Sequence, residues 1–145
     1  MKQDALIKVT GTQEYPLMDY QNKIEFFTEG KYYKKGKTYY ITYKESELTG
    51  LNGTTTTFKI QNDFVTLIRF GDISSTLVFE PGKRHVSMYS TDEGVITVGV
   101  YTKKMQVDLN DNGGIVFVEY SIDFDASQMS NNDFYLEIKK VGAKN

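Results

Sequence analysis

Along nearly the whole chain, apolar or small residues return at every second position, as in Ile7/Val9/Gly11, Ile24/Phe26/Thr28, Tyr39/Ile41/Tyr43, Phe58/Ile60, Val65/Leu67, Leu77/Phe79, Ile96/Val98/Val100, Val116/Val118/Tyr120/Ile122 and Phe134/Leu136/Ile138. A period of two is the signature of an extended strand with one buried face. Turn-forming dipeptides interrupt the pattern at short intervals: Glu29-Gly30, Lys35-Gly36, Asn52-Gly53, Asn62-Asp63, Gly71-Asp72, Pro81-Gly82, Asp92-Glu93-Gly94 and Asn112-Gly113. Strands joined by such turns form a meander of hairpins. No stretch sustains helical periodicity, which argues against a parallel α/β architecture. Eleven Tyr and nine Phe against two Pro, with abundant Thr, Val and Ile, suit pleated surfaces. An antiparallel meander must bury one face without leaving long open edges, and closing it into an up-and-down β-barrel of about eight to ten strands does so. A two-sheet sandwich is the alternative.

A length of 145 residues suits a single domain spanning 1–145, and no linker or internal repeat divides it. The chain has no cysteine, which excludes disulfides, thiolate metal sites and cysteine nucleophiles and fits a reducing compartment. No apolar run approaches the length of a membrane-spanning helix, and MKQDALIKV has no continuous apolar signal core. These features lead to the expectation of a cytoplasmic protein with no membrane association. A net charge of −2 gives no general attraction to nucleic acid.

The series IxVxGxQ from Ile7, EGKYYKKGKTYYITYKESELTGLNGTTTTFKI from Glu29, VTLIRFG from Val65, GVITVGVYTKKM from Gly94 and the closing GGIVFVEYSI resembles the YwiB-like family of small bacterial proteins. The most specific segment is YxExELTGLxGTTTT, because a hairpin has no general need for it. The resemblance implies a calycin-type, lipocalin-like barrel in the cytoplasm of Gram-positive bacteria. The family is one of unknown function, so no activity or site residue is implied with the fold.

One stretch, DLNDNGGIVFVE from Asp108 to Glu119, satisfies the calcium-loop signature D-x-[DN]-x-[DN]-G-x5-E. In a true EF-hand a helix returns the final glutamate to the ion. Here IVFVEYSI alternates instead, so Glu119 is carried along a strand, on the order of 15 to 20 Å from the turn. Asn112-Gly113 reads as a tight hairpin, and no metal or other cofactor is expected. Catalytic patterns are equally thin. The single histidine, His85, stands in the charged segment GKRH and reads as a solvated turn residue rather than a general base. Glu45 and Glu47 share a face at strand spacing, but as a carboxylate pair they read as a solvated hairpin end. The expectation is a protein without catalysis.

Three binding readings follow. KYYKKGKTYY, residues 31–40, interleaves lysines with tyrosines as single-stranded nucleic-acid sites do. Parity turns Tyr39 inward and leaves Tyr40 outward, which splits the platform, and lysines also guard exposed strand edges, so nucleic acid ranks low. The loop at 49–54, or a strand edge, offers a route to a protein partner. The leading reading lies inside the barrel. Pattern alone does not decide which face of Phe64–Phe70 points inward. The family resemblance favours Val65, Leu67 and Arg69, and the same register turns Thr54, Thr56, Phe58 and Ile60 inward. Tyr43, Glu45, Tyr89, Thr102 and Tyr120 share inward parities. A largely apolar lumen with one cation, one carboxylate and several hydroxyls suits a small amphipathic ligand, whereas large side chains can also simply fill a barrel of this size. Arg69 then pairs either with Glu45 or backbone carbonyls, or with an anionic group of the ligand.

Overall fold

The computed structural model describes residues 3–15, 20–46, 51–72, 74–91, 93–124 and 128–141. They form ten antiparallel strands: β1 (Gln3–Tyr15), β2 (Tyr20–Lys35), β3 (Thr38–Lys44), β4 (Thr54–Ile60), β5 (Val65–Gly71), β6 (Ser74–Phe79), β7 (Arg84–Thr91), β8 (Gly94–Asn110), β9 (Gly113–Phe124) and β10 (Gln128–Lys140). Each pairs with its sequence neighbours, and β1 pairs with β10 from Ala5↔Lys140 to Glu14↔Asn131, which closes the barrel. The expected up-and-down barrel is therefore present, and the sandwich is not. No helix among the described residues is long and apolar enough to cross a membrane.

Alternation sets the inside. β4 buries Thr54, Thr56, Phe58 and Ile60, and β5 buries Val65 and Leu67 while Phe70 is 76% exposed. The register Phe58↔Leu67 and Thr56↔Arg69 puts Arg69 on the inward row. Across the barrel, Phe58 meets Phe134 with ring centroids 5.1 Å apart, and Phe79 meets Tyr120 and Phe134 at 4.6 and 5.5 Å. These rings, drawn from four separate strands, fill the middle of the lumen. Centroid separations of this order are favourable for aromatic pairs and add to the burial of apolar area.

Two turn assignments change. Glu29-Gly30 is not a turn, because β2 runs straight through it and Gly30 pairs with both Ala5 and Tyr43. A Cβ at Gly30 would lie 2.2 Å from the Thr42 carbonyl oxygen and 2.8 Å from Ile7 Cδ1, so glycine is needed for close approach. Asn112-Gly113 is displaced by one residue, since Asn110 pairs with Gly113 and the two-residue loop is Asp111-Asn112. Gly113 and Gly114 begin β9, where a Cβ would collide with the carbonyl oxygens of Ile138 and Asp108.

The wall is weakest between β6 and β7, where only Ser74↔Ser90 and Ser75↔Tyr89 are paired. Farther along, Pro81 bridges to Thr102 on β8 instead. The aromatic filling generates a contrast. Phe79→Ala should cost about 3 to 5 kcal/mol in urea unfolding, whereas Phe70→Ala should stay within about 0.5 kcal/mol of the parent. Equal losses at the two positions would mean that the rings do not fill the lumen.

Candidate functional site

Above the ring cluster, toward one end of the barrel, the inward rows turn polar. Tyr43 on β3 stands opposite Thr56, Thr56 opposite Arg69, and Arg69 opposite Ser75 on β6. Just past the end of β3, the Glu45 amide donates to the Thr54 carbonyl at 2.8 Å, which extends the ladder and holds Glu45 inside. Of these, Tyr43, Glu45 and Arg69 border a pocket of about 300 Å³. Its apolar wall includes Val9, Ile24, Phe26, Phe58, Leu67 and Phe134, and its polar lining includes Thr12, Gln13, Asn22, Tyr43, Glu45, Arg69, Tyr120 and a second carboxylate, Asp133. The pocket is thus a cup whose floor is the aromatic filling.

The charged groups in this cup are differently placed. Glu45 is buried and accepts a hydrogen bond from the Thr56 hydroxyl. Tyr43 also hydrogen-bonds Glu45, and its phenol titrates well above the usual tyrosine range. Burial is the largest cause, the Glu45 charge adds to it, and Arg69 pulls the other way. Arg69 is only partly covered, yet its Nε is buried and has no hydrogen-bond partner. No ion pair among the described residues includes Arg69. An Arg69–Glu45 pair, one of the alternatives open for Arg69, is therefore not found among the described residues, where Glu45 is engaged with Thr56 and Tyr43. Ser75 Oγ, on the residue opposite Arg69, is likewise buried without a hydrogen-bond partner.

Of the residues singled out in the sequence, Tyr43, Glu45, Arg69 and Tyr120 meet at this pocket, and Thr56 stands behind Glu45. Thr102 is fully buried opposite Tyr120 but does not line the pocket, and its backbone is bonded to Gly82 and Lys83. Tyr89 pairs through its backbone with Ser75 and Ile96, and its side chain lies outside the described residues. Gln13 and Asn22 were not anticipated. Continuing the parity of Ile7, Val9 and Gly11 by one step reaches Gln13, and stepping back from Ile24 reaches Asn22.

The family described as "Domain of unknown function (DUF1934)" matches residues 7–136, nearly the whole of this barrel. The chain belongs to that family. The uncharacterized beta-barrel protein YwiB of Bacillus subtilis is 28% identical over 102 residues, covering 70% of each chain. The crystal structure of the YwiB protein from Bacillus subtilis superposes with a TM-score of 0.75 at 24% identity, over 94% of this chain and 92% of that one. The resemblance seen in the sequence motifs is thereby confirmed, and the likeness in structure extends to the fold.

Elsewhere in this DUF1934 domain the remaining motifs take definite places. His85 is not a solvated turn residue: it lies in β7, half-buried, with Nε2 2.9 Å from Glu80 Oε1. That bond, followed by contact with Lys83, holds the Glu80 carboxyl below its ordinary value. Glu45 is buried rather than solvated, and Glu47 falls outside the described residues. Glu119 sits within extended β9, opposite Lys104 and Asp133, well along the strand from the Asp111-Asn112 turn. The tyrosines of 31–40 divide as parity requires. Tyr32 is buried against Tyr39 and donates to the Asn110 carbonyl at 2.6 Å, while Tyr33 stacks on Tyr40 on the outer surface. Residues 49 and 50 of the 49–54 loop lie outside the described residues, and Leu51 reaches the pocket.

The Tyr43 phenol has a consequence at alkaline pH. A raised value in the folded state means that folding is favoured while the phenol keeps its proton, and that this advantage declines as pH climbs above the ordinary tyrosine value of 10.0. Tyr43→Phe should therefore lose melting temperature less steeply than the parent above that pH. Parallel curves would show that Tyr43 is not held protonated by its site.

Proposed function

We propose that this barrel binds a small amphipathic molecule, without turning it over, in the cup at the Arg69 end of its lumen. The observation that carries the reading is a buried guanidinium Nε with no hydrogen-bond partner at a pocket that pairs an apolar wall with polar groups. Buried polar groups are nearly always satisfied, and a cation in such a place favours an anionic partner such as a carboxylate or phosphate. The apolar wall suits a short hydrocarbon or aromatic body. The ring cluster below limits its length, so the ligand sits in the cup and does not thread the barrel. This is a lipocalin-like, calycin-type use of a barrel, with a shallower cavity. The cysteine-free composition fits a reducing, cytoplasmic setting.

A direct test uses anilinonaphthalene sulfonate, an aromatic anion whose fluorescence rises in apolar surroundings, with octanoate and octanol as competitors. Octanoate should displace the dye and octanol should not. Because no ion pair among the described residues depends on Arg69, Arg69→Met should keep urea stability within about 1 kcal/mol of the parent, while dye and octanoate binding are lost. Unchanged binding in Arg69→Met would overturn the assignment of Arg69 as anchor. Displacement by octanol as well as by octanoate would remove the requirement for an anion.

A second reading, a scaffold for a protein partner, draws on the β6–β7 seam. Beside its unpaired stretch, Val86 and Met88 are 61% and 70% exposed. Unpaired strand edges with apolar neighbours accept an added strand. On this reading, sedimentation should show association that Met88→Lys removes. A monomer at every concentration, with no partner retained by the parent and lost by the variant, would dispose of it.

A further inference from the structure

The outer surface of β2 to β5 has a composition that neither the fold nor the cup explains. Strands β3, β4, β5 and β6 contain no Asp or Glu, although the chain has 19 acidic residues. On this sector the outward row Tyr33–Tyr40–Lys59–Thr66 crosses four strands in register. Tyr33 and Tyr40 stack with centroids 5.0 Å apart and planes within 8°. The next row carries Thr42 and Thr57, whose hydroxyls are 2.9 Å apart. Lys44 ends the outward row of β3, opposite Thr55, and Lys35 lies beside the turn. None of Lys35, Lys44 and Lys59 belongs to an ion pair among the described residues.

The ordinary explanation for lysines on strands is protection of an open edge. It does not apply here, because β2, β3 and β4 are each paired on both sides. What remains is a sheet face whose β3, β4 and β5 carry no acidic residue, bordered on β2 by Glu29 and the Lys31–Asp4 ion pair, with paired aromatic rings, ammonium groups outside any ion pair among the described residues and a field of hydroxyls. We infer that this face binds single-stranded nucleic acid. A base continues the Tyr33–Tyr40 stack, phosphates meet Lys59, Lys44 and Lys35, and threonine hydroxyls supply neutral hydrogen bonds to the backbone. This is the chemistry by which β-sheet surfaces hold unpaired strands, and it gives charge complementarity with little dependence on sequence. A lipid surface fits less well, because threonines dominate where insertion into a bilayer calls for apolar side chains. The inference is independent of the Arg69 cup, which lies on the inner face.

The test is fluorescence anisotropy of labelled oligouridylate and oligothymidylate of about 12 nucleotides at about 20 mM salt, with the full chain. The expected result is saturable binding that weakens steeply with salt, with a log–log slope of about −2 for three phosphate contacts on a single strand. Lys44→Glu combined with Lys59→Glu should weaken binding at least about tenfold. Tyr40→Ala should weaken it several-fold and Tyr40→Phe should retain it, with melting curves confirming that each variant is folded. Arg69→Met should bind oligonucleotide like the parent, which separates this face from the cup. Absence of binding at low salt, binding unaffected by the lysine changes, or capture of phosphatidylglycerol vesicles in place of oligonucleotide would each overturn the inference.

Discussion

The contact among Phe58, Phe79, Tyr120 and Phe134 governs most of what this barrel is able to do. A ring of ten strands encloses more space than small aliphatic side chains fill, and these aromatics occupy its middle. They join strands far apart in sequence, so they set the shape of the interior as well as its stability. They also divide the lumen: below, the interior is packed; above, the inward rows become polar and leave a cup. The location of the cup thus follows from where the large rings stop.

Arg69 gains its interest from that division. On a barrel packed to its rim it would need an internal counter-charge, and Glu45 would be the obvious one. Glu45 is instead satisfied by Thr56 and Tyr43, and the guanidinium is left at the edge between packed rings and the open cup. The same strand presents Phe70 to solvent on its other face. A single alternation therefore supplies an inward cation and an outward aromatic one residue apart.

Parity made most of the fold legible in the sequence, because the face of a residue on a strand depends only on its neighbours. The split of Tyr39 from Tyr40 follows from it, whereas the inward placement of Val65, Leu67 and Arg69, and of Thr56 and Phe58 in register with them, needed the family resemblance because both faces of β5 carry large side chains. The sequence was less informative where an answer depends on strands distant in the chain. Gly30 looks like a turn residue locally, and only the approach of Thr42 and Ile7 shows why a strand needs glycine there. Glu45 looks solvated at the end of its own strand, and it is the paired strand β4 that buries it. His85 looked like part of a turn, and its β7 position with a Glu80 partner depends on how the Pro81-Gly82 turn folds back. The depth of the cup was likewise illegible, since it is set by rings meeting across the barrel.

Every neighbour in the ring is also a neighbour in sequence except β1 and β10, whose pairing joins Ile7 to Ile138. The meander can zip hairpin by hairpin at small entropic expense, while one step carries nearly the whole cost of loop closure. During synthesis, β1 leaves the ribosome long before β10 exists. Its outer edge, with Ile7 and Val9 beside it, stays open for the time needed to make more than a hundred further residues. Contact order is thus concentrated in a single late event, and the vulnerable species along the way is a curved, nearly complete sheet with two unsealed edges.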